Sequence, residues 1–246
     1  MFKRTKKVRS ISDLVNKLKS DLSGHEGPVW FRGQAETDWK LRPSFIRLVN
    51  PPSEMNMIKK FKQNATLLMN PPPVSLLDWL LIMQHHGMPT RLLDWTESPL
   101  VAAYFATAEK SSKAGALWAL RPVELNKIGG HEPEDYEFDI PSIEDSILET
   151  YVPESLASER TSRRSPLAVI LPRNNTRMQA QLGVFTINHR DTTPIEEIGK
   201  KNHIWKYEIA GDTKKEIQKE LQIIGFSKFQ LFPELASIGD AVMGAS

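Results

Sequence analysis

The sequence predicts an α+β domain, with small mixed sheets flanked by helices. Three observations predict it. Helical stripes and short apolar strand runs follow one another without a regular strand–helix–strand alternation, which argues against a doubly wound parallel sheet. The 246 residues are 40% hydrophobic and 25% charged, a globular composition long enough to bury a substantial core. No stretch approaches the roughly 18 uncharged apolar residues of a membrane span.

The elements follow in order. Ser10 caps a helix whose Ile11, Leu14, Val15, Leu18 and Leu22 form one stripe, ended by Gly24. Val29-Trp30-Phe31 reads as a buried strand running into Arg32-Gly33-Gln34. A second helix carries Ile58, Phe61, Ala65 and Leu68 on one face, and Pro71-Pro72-Pro73 stops it. A third, about residues 75–86, is apolar nearly all round and therefore buried, with Gly87 as its left-handed cap. Ser98-Pro99 starts a fourth, whose small residues allow close packing. Residues 116–120, 167–171, 183–187 and 203–209 read as strands. Residues 174–177 open a turn or short helix. Thr213-Lys-Lys-Glu216 is a capping-box pattern before Ile217, Leu221 and Ile224, closed by Gly225. Residues 226–236 are expected to pack back onto the body. Residues 122–165 are polar and proline-containing, and read as an insertion with a short helix near 143–151, either a lid or a long loop. The organisation expected is a basic tip and helix over 1–24, one domain over 25–237, and a tail over 238–246.

Composition narrows the function classes. The absence of cysteine excludes disulfides, a Cys nucleophile and thiolate metal sites. The net charge of +2 is uneven, because Lys3, Arg4, Lys6, Lys7 and Arg9 lie within the first nine residues. Such a tip can touch nucleic acid or anionic lipid, and reads first as a solvated, frayed terminus. No apolar segment follows it as in a secretory signal, so a cytoplasmic protein is expected. Signature nucleotide loops, His-Glu-x-x-His and nucleophile elbows are missing.

Three polar motifs sit at element ends. In the first, a strand delivers Arg32, whose planar fork suits phosphate or carboxylate. Gly33 there lets a backbone approach a ligand, and Gln34 follows. Pairing of Arg32 with a core carboxylate is the alternative. The second is Gln84-His85-His86-Gly87-Met-Pro-Thr90-Arg91-Leu-Leu-Asp94-Trp95-Thr96-Glu97-Ser98. It carries many hydrogen-bonding groups between two apolar segments and reads as the wall of a cleft. Asp94 can pair with Arg32 or Arg91, or accept from a ligand hydroxyl; Ser98 is also an adequate cap and Trp95 a core residue. Adjacent histidines on a helix point about 100° apart, so His85 and His86 do not make a metal site, and no metal is expected. The third is Arg177-Met-Gln179-Ala-Gln181-Leu-Gly183-Val-Phe185-Thr186, where an amide can recognise a ligand but cannot act as a base.

At these motifs the chain resembles the FRG domain family, through Phe31-Arg32-Gly33, Trp39-Lys-Leu-Arg-Pro-Ser44, the run from Gln84 to Ala106, residues 177–186, Ile223-Ile-Gly225 and Leu231-Phe-Pro-Glu-Leu235. That family is frequent in bacteria and their phages, which implies a role in conflict, as a toxin or in phage defence. The order of motifs is also similar to that of ADP-ribosyltransferases. There an Arg on the first core strand holds NAD, a hydroxyl-bearing strand shapes the nicotinamide pocket, and a late Glu orients the ribose. The resemblance implies Arg32 at the pyrophosphate, His85 or His86 at a ribose, Thr96 and Ser98 at the nicotinamide, and Gln181 at the scissile ribose. Thr90, Arg91, Gly33 and Gln34 would complete the site. This chain departs from that pattern with Gln in place of Glu, so Asp94 or Glu97 would have to supply the carboxylate. A candidate ADP-ribosyltransferase acting on NAD, with an unidentified protein or nucleic-acid target, is one expectation. A non-catalytic module binding a nucleotide, nucleic acid or protein is a second. A buried structural network of Arg32, Asp94 and Gln181 is a third.

Overall fold

A computed structural model describes residues 5–69, 71–109, 112–131, 140–158, 163–234 and 237; the expected 238–246 tail lies outside them. Seven strands are found among them: β1 (Thr5–Val8), β2 (Trp30–Gln34), β3 (Leu92–Thr96), β4 (Gly115–Leu120), β5 (Leu167–Val169), β6 (Gly183–Ile187) and β7 (Ile204–Ile209). They form one sheet in the order β1-β7-β4-β2-β3-β6-β5. The β1–β7 pair is parallel and the others are antiparallel. The architecture is α+β, and the small sheets expected from sequence are two halves of this single sheet. Strand β2 pairs with β4 over five positions, and β3 with β6 over five. Between β2 and β3 the register holds only Phe31 opposite Thr96. Beyond that pair the strands part.

The helices are α1 (Ile11–Asp21), α2 (Glu54–Ala65), α3 (Leu76–His85), α4 (Pro99–Thr107), α5 (Pro122–Ile128), α6 (Pro153–Ser158), α7 (Thr176–Ala180), α8 (Lys214–Ile223) and α9 (Lys228–Leu231). Three apolar clusters hold them. Helices α1, α4 and α8 cover the four-stranded half through Leu14, Ala102, Ala106, Ile217, Phe31 and Tyr207. Helices α2 and α3 cover the three-stranded half through Ile58, Leu80, Met83, Phe185 and Ile187. Trp30, Trp95, Trp118 and Val184 alternate to the opposite face and pack a third cluster there. Paired residues share a face, so Phe31, Thr96, Asp94 and Phe185 point the same way. The first two clusters therefore lie side by side, with the split in the sheet between them.

Helix α4 is the closest neighbour of the sheet. A Cβ on Gly33 would lie 1.9 Å from the Ala102 carbonyl, and one on Gly115 would lie 2.3 Å from that of Ala106. The Ala-rich face read from sequence thus meets glycines on two adjacent strands, and backbone rests on backbone.

The expected caps at Ser10, Gly87 and Ser98 are present. The Thr213–Glu216 box does not form, because a 3-10 turn over Gly211–Thr213 leads into α8 and Thr213 donates to the Ala210 carbonyl at 2.9 Å instead. Capping boxes form at Ser75/Asp78 and Ser227/Gln230. The basic tip is a correction over residues 5–8, which are a paired strand rather than a frayed end. Val8 is buried and Lys6 is ion-paired with Asp21. A single apolar residue in a run of cations hides this strand from pattern reading. Residues 122–165 also hold more core than their composition suggests. Leu125, Ile140, Leu148 and Tyr151 are buried, and the helix expected near 143–151 is a 3-10 turn over Ser146–Thr150.

His203 gives the fold a pH dependence. Its ring is buried, Nε2 donates to the Ile195 carbonyl at 3.1 Å, and burial pushes its pKa down. The unfolded chain takes up that proton near pH 6.5 while the folded chain resists it. Stability from this group is therefore present above about pH 6.5 and is lost as pH falls below it. Replacing His203 with Gln keeps a donor for Ile195 and is expected to flatten the fall in urea midpoint between about pH 7 and about pH 5. An unchanged fall would show that His203 does not titrate this way.

Candidate ligand cavity at the split in the sheet

Where β2 and β3 diverge, a cavity of about 280 Å³ opens between α3 and α4. Arg32, Gly33, Asp94 and Thr96 form its floor. Gln84 and His85 of α3, Phe105 of α4, and Arg177 and Gln181 at α7 form its walls. Segments more than a hundred residues apart in sequence meet here because a sheet that splits must leave a gap. The helices packed on its two halves are too far apart to fill it.

Arg32 reaches across the gap. Its Nη1 donates to the Asp94 carbonyl and lies 4.0 Å from the Asp94 carboxylate, while its Nε is buried without a partner among the described residues. Burial pushes the guanidinium pKa down and the Asp94 carboxylate partly restores it. An arginine keeps its charge through such shifts, so the cavity floor is cationic with the buried Nε donor unspent. Asp94 is 58% exposed at its side chain and is the only carboxylate lining the cavity among the described residues. Glu97, the other carboxylate nominated from sequence, is paired with Arg173 outside the cavity.

His85 ends α3 facing the cavity. Burial, then the nearby His86 and Arg177, push its pKa down while Glu234 pulls it up. The ring is thus neutral near pH 7, with one nitrogen to donate and one to accept. Gln181 donates Nε2 to the Leu231 carbonyl at 2.9 Å, so the C-terminal α9 fixes its amide and leaves Oε1 as acceptor. Thr96 has a positioning part. Its Oγ1 donates to the Gln181 carbonyl at 2.7 Å and accepts from Ser98 N–H at 3.0 Å. It ties α7 to the start of α4.

Several nominated residues lie elsewhere. Gln34 is buried beneath Trp118, accepting its indole N–H at 2.8 Å. His86 is exposed and turned toward Phe61, with ring centroids 6.5 Å apart. Ser98 is spent as the α4 cap, accepting from Val101 N–H. Thr90 is buried against Gln84 and holds Ser44. Arg91 is buried with Glu54 and the carbonyls of Asn188 and Tyr151. None of the five lines the cavity. Gly33 does, but α4 rather than a ligand occupies the space beside its Cα. The closed Arg32–Asp94–Gln181 network does not form, since Gln181 bonds to Leu231. No described residue of 122–165 lines the cavity, so of the two alternatives for that segment, a lid or a long loop, the lid is not seen among them. Arg177, stacked on Phe232 at 4.7 Å, was not nominated although it opens the third motif.

No helix among the described residues is long and apolar enough to cross a membrane. No curated protein and no solved structure matches the chain. A family model described as FRG domain matches residues 27–115. The matched segment spans β2, α3, β3 and α4, which supply the floor and two walls of the cavity. The Phe31-Arg32-Gly33 tripeptide accordingly has three separate duties: Phe31 packs the core, Arg32 bridges the split, and Gly33 admits α4. The chain carries an FRG domain over residues 27–115.

Proposed function

We propose that the cavity binds NAD and that the protein is an ADP-ribosyltransferase-like enzyme of bacterial or phage conflict, modifying a protein or nucleic-acid target. The observation that carries this reading is convergence. Arg32, His85, Asp94, Thr96 and Gln181, drawn from three separated motifs, line one cavity. The unspent Arg32 Nε is a donor suited to a phosphate oxygen. The volume is near the lower bound of roughly 300 Å³ for small-molecule pockets, so it suits one nucleoside half.

NAD supplies a ribosyl group already joined to a good leaving group, nicotinamide. Arg32 would hold the pyrophosphate. His85 and the Gln181 Oε1 would orient ribose hydroxyls. Asp94 would stabilise the positive charge that develops at the anomeric carbon and take the proton of the incoming acceptor. Phe105 would shield the ring end from water.

The test uses NAD labelled in its adenylate half, incubated with purified protein and a bacterial lysate that retains protein and nucleic acid. Label transfer is expected, reduced on the order of 100-fold by Asp94→Asn and at least about tenfold by Arg32→Lys, which loses the fork. Absence of both transfer and NAD loss, with folded protein, would overturn the enzyme reading. One observation favours a non-catalytic module instead. Gln181 carries no charge where a carboxylate would be most useful, and NAD binding without turnover is the result that reading predicts.

A further inference from the structure

A smaller pocket, about 210 Å³, adjoins the cavity and shares Arg32, Gly33 and Phe105 with it. Arg42 and Arg47 line it beside Arg32. No ion pair or side-chain hydrogen bond to Arg42 or Arg47 is found among the described residues, and the Arg42 Nε is buried without a partner. The other charges at this pocket are Glu109 and Lys40, and Lys40 is held by Glu197 at 2.6 Å. Like charges so placed repel; Arg47 contributes to depressing the Arg32 pKa. A fold that gathers three guanidiniums with little compensation leaves free energy to be recovered by a shared anion.

The segment bearing them is anchored on either side of Arg42 and two residues before Arg47. Leu41 N–H donates to Glu196 and Leu41 C=O accepts from Ile195 N–H, each at 3.2 Å. Thr90 N–H donates to Ser44 Oγ at 3.2 Å, and Phe45 N–H to the Thr90 carbonyl at 3.1 Å. An anion bound here would therefore meet a backbone already ordered. This also assigns Thr90 a duty: it positions the arginines from outside the cavity.

The geometry points to a phosphate subsite in which Arg42 and Arg47, with Arg32 shared, take the pyrophosphate of a ligand whose nucleoside end occupies the cavity. Only the placement of the nucleoside rests on the NAD reading; the subsite itself is one that inorganic pyrophosphate can fill. Calorimetric titration of the full chain with pyrophosphate tests it, comparing wild type with the double variant Arg42→Gln/Arg47→Gln. Neither side chain holds the fold through a bond, so the variant should unfold at the wild-type temperature. Binding by wild type, weakened on the order of tenfold or more in the variant, is expected. No binding by wild type, or equal binding by both, overturns the subsite. NAD titrated into the wild type decides the other reading separately. Pyrophosphate binding without NAD binding would leave the subsite standing and remove the NAD assignment.

Discussion

Replacing Arg91 with Met is expected to lower stability by roughly 3–5 kcal/mol, a large part of the total for an ordinary domain. Arg91 is buried, its Nε donates to both Glu54 oxygens at 2.8 and 2.9 Å, Nη2 donates to the Tyr151 carbonyl at 2.6 Å, and Nη1 donates to that of Asn188. Truncation would strand a largely buried carboxylate and two carbonyls together, and the stranded carboxylate is the larger part of the loss. Adding Glu54→Met should recover part of it, because the unpaired charge goes while the carbonyls stay unmet. Urea denaturation of the single and double variants measures both steps. A loss below about 1 kcal/mol for Arg91→Met would show the pair to be no more than a surface-like contact. The polar run that reads as a cleft wall is thus divided: Asp94 and Thr96 face the cavity, while Arg91 clamps α2 and the turn at Tyr151 onto the sheet.

Gly33→Ala is expected to cost roughly 3 kcal/mol or more, or to leave no folded protein. The new methyl would meet the Ala102 carbonyl at 1.9 Å and the Ala106 nitrogen at 2.6 Å. Both are backbone atoms, so no change of rotamer relieves the clash and α4 must lift off β2. Gly87 is the contrast. Its φ of +74° is left-handed but nothing crowds its Cα, so Gly87→Ala should cost only about 1 kcal/mol. A loss at Gly33 no larger than that at Gly87 would show that α4 yields to the added methyl and that helix contact does not explain the glycine of the tripeptide. The usual inference from such a glycine, that a ligand approaches it, is replaced here by a helix that does.

Much of the fold is legible in the sequence because each legible element carries its own periodicity. The stripe of Ile11, Leu14 and Leu18, the apolar run of α3 and the strand Ala116–Leu120 all declare themselves. Two strands do not. In β1 a parallel partner two hundred residues away, rather than local pattern, makes Thr5–Val8 a strand. In β3 the exposed Asp94 falls between buried Leu93 and Trp95 because the sheet has parted beneath it. The interruption that hides β3 as a strand is the feature that makes the cavity.

The site was legible in kind but not in membership. Arg32, His85, Asp94, Thr96 and Gln181 converge as their positions at element ends suggest. Gln34, His86, Thr90, Arg91 and Ser98 carry equally suitable groups, yet those groups are already satisfied or exposed outside the cavity. Residue type reports what a side chain can donate; only the tertiary partners report whether it is still available. Arg42 and Arg47 show the converse, since nothing in a lone arginine of a loop announces that its neighbours leave it unpaired.

The most direct measurement is a crystal structure of the protein soaked with NAD. The account predicts density for a nucleoside between α3 and α4, with phosphate oxygens at Arg32 and continuing toward Arg42 and Arg47. Density for NAD elsewhere, with the split between β2 and β3 unchanged and filled only by solvent, would contradict it.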